Sequence, residues 1–149
     1  MNRRHFLKQS LATTATFSAP AILRSRSPNS KFQIASIGVG GMGGNTMMSV
    51  AQHDKVQIVA MCDVDEKALA RALSGQASRR KEHVSEGNDT RFKEAKTFAD
   101  YREMFATLGD QIDAVTIGTP DHTHAAMAVA ALRAGKPVYL QKPLSHHLS

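Results

Sequence analysis

Between residues 38 and 44 the chain places five glycines in seven positions, "GVGGMGG", directly after the apolar run "FQIASI" (Phe32–Ile37). A strand that empties into glycines and then a helix restricts the fold more than any other feature of this sequence. Gly38, Gly40 and Gly43 have the spacing G-x-G-x-x-G. In that spacing the first glycine permits a tight turn, the second lets the backbone approach a pyrophosphate, and the third packs the helix on the strand. The amides around Gly41 and Met42, with the positive end of the helix, are then expected to face the phosphates.

The glycines alone are also compatible with a methyltransferase turn or a loop without a ligand. The next strand and its closing residue add specificity. "VQIVAMC" (Val56–Cys62) reads as a second strand, and Asp63 closes it 20 residues after Gly43. A carboxylate there accepts hydrogen bonds from ribose hydroxyls and repels a 2′-phosphate, so NAD is expected rather than NADP. Lys67 keeps NADP as the minority alternative.

The rest of the chain alternates β-type runs with helical patterns. A helix from the glycines to about Gln52 joins the first two strands, and a second begins at Asp65 with Leu69 and Leu73 on one face. Residues 75–94 are polar and without a period, which predicts a surface excursion in which Arg79, Arg80 and Lys81 form a solvated face. A short strand is expected at Ala95–Phe98, then a helix to Leu108 capped by Asp100 with Glu103 three residues on. A strand at Asp113–Thr119, a helix from His124 to Ala134 closed by Gly135, and a last strand "PVYLQ" (Pro137–Gln141) complete the series. Strands and helices in this order predict an α/β fold over residues 32–149, a doubly wound parallel sheet of the Rossmann dinucleotide-binding type.

"TPDHTH" (Thr119–His124) comes after the fourth strand and "QKPL" (Gln141–Leu144) after the fifth, both at C-terminal strand ends where open α/β sheets bind ligands. With the glycine turn, these motifs make residues 32–149 resemble the glucose-fructose oxidoreductase and inositol dehydrogenase family, Gfo/Idh/MocA, whose members carry a glycine turn, T-P-x-x-x-H and E-K-P in this order. The resemblance implies an oxidoreductase that moves hydride between a sugar or polyol carbon and nicotinamide. It implies a loop of Thr119 and Pro120 beside the nicotinamide, with His124 as the motif histidine at the start of the next helix. It also implies that Lys142 stands at the nicotinamide and the substrate hydroxyl, where a cation stabilises a developing alkoxide. Gln141 replaces the family's glutamate, keeping hydrogen-bonding capacity without the charge. Cofactor contacts are thus expected from Gly38, Gly40, Gly41, Met42, Gly43, Asp63, Thr119, Pro120, His124, Gln141 and Lys142, with Lys142 catalytic.

Charge excludes one class of partner. The net +6 arises in residues 1–31, which hold 6 of the 19 lysines and arginines and no acid; the other 13 match the 13 aspartates and glutamates. A balanced globular part has no electrostatic footprint for nucleic acid. The basic leader "MNRRHFLKQSLATTATFSAPAIL", with paired Arg3 and Arg4 before a mildly apolar run, predicts a twin-arginine signal over residues 1–23. A linker over 24–31 comes next, and export to the periplasm is expected.

Cys62 reads as a buried small hydrophobe, and His122, His124, His146 and His147 lack the supporting ligands of a metal site. Family members run to more than twice this length, and Ser145 caps a helix barely begun when the sequence ends. A substrate domain is therefore expected beyond these residues, although a non-catalytic dinucleotide-binding module is the alternative. A homo-oligomer is compatible with either.

Overall fold

A computed structural model describes residues 30–78 and 90–145. The leader with Arg3 and Arg4, the cluster Arg79–Lys81 and the pair His146 and His147 lie outside the described residues.

Parallel strands covered on both faces are near-continuous apolar runs, interrupted here by Gln33, Ser36, Gln57 and Thr116. That is how β1 (Phe32–Ile37), β2 (Val56–Cys62) and β4 (Ala114–Ile117) read, and their C-terminal halves are buried. With β3 (Lys96–Phe98) and β5 (Val138–Leu140) they form one parallel sheet in the order β3-β2-β1-β4-β5. The order reverses between β1 and β4, so the sheet is doubly wound, as the alternation of elements predicts.

Two apolar layers sandwich the sheet. On one face α1 (Gly41–Val50) contributes Met47 and Met48, and α2 (Glu66–Leu73) contributes Ala68 and Ala72, all packed with Ile34, Ile58 and Met61. On the other face α3 (Tyr101–Leu108) and α4 (Asp121–Arg133) bring Met104, Leu108 and Ala131 against Ala35, Ile37, Val115 and Ile117. Consecutive β1 residues thus feed opposite cores, as the two-residue period requires. In β2 the register shifts opposite Ile34 and Ala35, and Val59 and Ala60 both pack on the second layer. An extra residue in one strand breaks the alternation in this way.

Helix ends obey local chemistry. Asp65 accepts from Lys67 N at 2.9 Å and Asp100 from Arg102 N at 2.8 Å, both N-cap bonds. At the far end of α4, Gly135 N donates to Leu132 O and Lys136 N to Ala131 O, satisfying its last carbonyls.

Several boundaries differ from expectation. The first helix stops at Val50 rather than Gln52. Asp113 stays outside β4, because its carboxylate accepts from Gln33 N at 2.7 Å. The helix expected from His124 begins three residues earlier, at Asp121. Asp-His-Thr has poor helix propensity, yet Thr123 N donates to Pro120 O and Asp121 brings an acid to the first turn.

Residues 75–94 are not wholly a surface excursion. Ala77, Ser78 and Phe92 are buried, Phe92 in a 3-10 turn (Thr90–Phe92), and Arg91 Nη1 donates to Ala51 O. One apolar ring in a polar stretch has no period to reveal it. Among the described residues, no helix is long and apolar enough to cross a membrane.

Candidate functional site

The C-terminal ends of the strands meet a cleft of about 700 Å³ at the point where the strand order reverses. Its floor is the glycine turn. Gly38 leaves β1 with φ +77°, and its N–H donates to Cys62 O at 2.8 Å, tying the turn to the end of β2. A Cβ on Gly38 would stand 2.7 Å from both Thr119 Cγ2 and Thr119 N. A Cβ on Gly43 would collide with Gly38 O, and one on Gly118 with Gly43 Cα. Three backbones therefore touch where β1, α1 and β4 meet.

The next part of the turn is open. A Cβ on Gly40 would meet only Ala68 Cβ, at 3.8 Å, and one on Gly41 nothing within 4 Å. Protein packing does not need glycine at Gly40, whereas a ligand approaching the backbone does. Helix α1 starts there with no capping side chain and no acid in its first turn, so no residue of the helix itself offsets the positive end of its dipole.

Asp63 stands beside this turn in a fixed pose. Its Oδ2 accepts from Val39 N at 2.9 Å and its Oδ1 from Asp65 N at 3.0 Å. Each oxygen keeps a further lone pair. Below it, burial first and then the carboxylates of Asp100 and Asp63 push the Cys62 thiol up to about 12. It is buried and chemically quiet.

Among the expected contact residues, Gly38, Gly40, Asp63, Thr119 and Pro120 line the cleft. Gly41 opens α1 beside Gly40, and Gly43 lies behind Gly38 as the packing glycine. Met42 is exposed, with Asn45 Nδ2 donating to its sulfur at 3.4 Å. Gln141 turns toward α1, its Nε2 donating to Thr46 Oγ1 at 2.7 Å, and Lys142 is exposed on the turn after β5. The ring of His124 is buried, and both nitrogens are engaged by main-chain carbonyls, so it has no free nitrogen for a ligand.

Other cleft residues are not among the expected cofactor contacts. Val64, Asp100, Tyr101 and Arg102 lie just past β2 and β3, with the Arg102 guanidinium 4.8 Å from the centre of the Tyr101 ring. His122, Thr123 and Met127 belong to α4. Asp100 was legible only as a helix cap. The signal that would have found these residues is position, since ligands of open α/β sheets gather just past the strand ends. Among the described residues, no group of three metal-ligating side chains comes together.

Residues 32–149 match the family model GFO_IDH_MocA, described as an oxidoreductase family with an NAD-binding Rossmann fold. The chain is 34% identical over 145 residues to a glycosyl hydrolase family 109 protein of Stenotrophomonas maltophilia, covering 93% of this chain and 29% of that protein. It is 31% identical over 114 residues to inositol 2-dehydrogenase 1 of Saccharopolyspora erythraea, covering 76% and 29%. Among solved structures it resembles scyllo-inositol dehydrogenase from Lactobacillus casei, whose crystals hold NAD(H) and scyllo-inositol. The TM-score is 0.58 at 25% identity, covering 77% of this chain and 29% of that one. The chain thus spans less than a third of the length of these proteins.

Proposed function

The chain belongs to the Gfo/Idh/MocA oxidoreductase family, and from that premise we propose that it is the NAD-binding part of an enzyme acting on a sugar or polyol. The observation that carries this reading is the pairing of an open glycine turn at Gly40 and Gly41 with a carboxylate, Asp63, pinned beside it. Both fit NAD. The turn and the start of α1 receive the pyrophosphate, and the free lone pairs of Asp63 accept from ribose hydroxyls. When bound, NAD supplies the hydride acceptor.

Thr119 and Pro120 wall the cleft at the end of β4. Lys142 Nζ takes the substrate hydroxyl proton or holds its oxygen, which favours the developing alkoxide. The substrate pocket and the remaining acid–base groups belong to further residues of the whole protein.

Isothermal titration of the 149-residue chain tests the cofactor assignment. NAD should bind, NADP at least tenfold more weakly, and Asp63→Ala should lose NAD affinity by roughly tenfold or more, about 1.4 kcal/mol. Heat protection by S-adenosylmethionine in place of NAD would refute the reading.

The similarity to a glycosyl hydrolase family 109 protein supports a second reading, in which the whole protein cleaves a glycoside. Incubation with NAD separates the two. A dehydrogenase accumulates NADH in proportion to sugar oxidised, whereas a hydrolase releases sugar with no net NADH. Sugar turnover by the 149-residue chain would exclude a purely binding module.

The paired Arg3 and Arg4 support export through the twin-arginine route. Replacing both with lysine should leave the protein in the cytoplasmic fraction; unchanged export would exclude that route.

A further inference from the structure

Asp63 and Asp100 close neighbouring strand ends. Asp63 N donates to Phe98 O at 3.1 Å, which sets the residue after β2 against the last residue of β3, and Asp100 comes two positions later. Both aspartates line the cleft, and both carboxylates act on the same Cys62 thiol.

Among the described residues that line this cleft, Arg102 is the one lysine or arginine. Its guanidinium is already occupied. Asp100 accepts from Arg102 N at 2.8 Å through Oδ1 and from Arg102 Nη1 at 3.3 Å through Oδ2, while the guanidinium lies 4.8 Å from the centre of the Tyr101 ring. Both oxygens of one carboxylate and the face of one ring thus hold a single cation.

A guanidinium suits a phosphate better than any other side chain does, because its fork of donors meets two oxygens at once. In a dinucleotide cleft, a free one near the ribose carboxylate would attract the 2′-phosphate that separates NADP from NAD. We propose that Asp100 is a specificity-determining residue that works through Arg102: by occupying the guanidinium it withholds the cleft's cation from a 2′-phosphate, and so adds to the discrimination that Asp63 makes directly. This role rests on the NAD reading of the cleft. The two carboxylates act differently, since Asp63 repels a phosphate that replaces the hydroxyl it accepts from, whereas Asp100 touches neither dinucleotide and removes the counter-charge. The pair is open to solvent, with 73% of the Arg102 side chain and 49% of the Asp100 side chain exposed. Exposed ion pairs are weak, so the contribution is a few-fold change in the affinity ratio and not an exchange of cofactor.

Isothermal titration of the 149-residue chain with NAD and with NADP measures that ratio. Asn and Ser cap a helix as Asp does but carry no charge, so Asp100→Asn and Asp100→Ser keep α3 and release Arg102. In each, NADP should gain at least threefold relative to NAD. Adding Arg102→Ala to Asp100→Asn should abolish the gain, and adding Arg102→Lys should keep part of it. An unchanged ratio in both single variants would overturn the role of Asp100, and a gain that survives the loss of Arg102 would overturn its working through that side chain. A wild-type chain that binds neither dinucleotide overturns the cofactor reading and this role together. One that prefers NAD while the variants keep the wild-type ratio overturns this role alone.

Discussion

Gly43 has no room for a side chain, since a Cβ there would run into the carbonyl oxygen of Gly38. Gly43→Ala should therefore cost about 2–3 kcal/mol, measured by urea denaturation, because one backbone must retreat from another. At Gly40 the same substitution should leave stability within about 1 kcal/mol of wild type and weaken NAD instead, as its Cβ would point into open space.

Cys62 gives a pH signature. Its folded value of about 12 lies above the ordinary 9.0, so the unfolded chain releases its proton first as pH rises. The stabilisation is complete below pH 9 and is lost between pH 9 and 12. Thermal melts across that window should fall more steeply for wild type than for Cys62→Ala. These roles were partly legible. The G-x-G-x-x-G spacing singled out Gly43, but its clash with Gly38 O required the folded turn, and nothing local marked Gly118 as the third backbone in that contact.

Among the elements, α3 depends on Asp100, which caps it through Arg102 N and also faces the cleft. Asp100→Ala should lower stability by about 1 kcal/mol. It should also lower the Cys62 value, since the Asp100 carboxylate helps to raise it; thiol reactivity measured against pH reads the change.

Helices α2 and α3 were legible because their caps and apolar faces lie within one or two turns of sequence. Helix α4 was misplaced at its start because its first turn, Asp-His-Thr, holds poor helix formers and no side chain caps it. Asp121, His122 and Thr123 join it through bonds of the chain just before them, Thr123 Oγ1 donating to Thr119 Oγ1 and Pro120 O, with the His124 ring beside Thr119 O. Phe92 escaped because its burial comes from segments distant in sequence.

At the scale of the molecule, a ligand that binds the folded cleft and not the unfolded chain must raise stability. NAD at a hundred times its dissociation constant should add about 2.7 kcal/mol to unfolding. A thermal melt with NAD, against S-adenosylmethionine as control, reads it directly.

The alternation of strands and helices, the glycine spacing and the acid after the second strand were enough to determine a doubly wound parallel sheet and a dinucleotide-type turn. Periods of two and 3.6 residues and the geometry of a tight turn are local, so residues a few positions apart reveal them. Only the tertiary structure decided which of the expected residues meet at one cleft and which do not. It set Thr119 against Gly38, buried the Thr116–Ser36 hydroxyl pair between strands 80 residues apart, turned Gln141 toward α1, and engaged both nitrogens of His124. Those outcomes depend on how β1, β4 and β5 lie side by side, and neighbours that far apart along the chain leave no periodic trace within it.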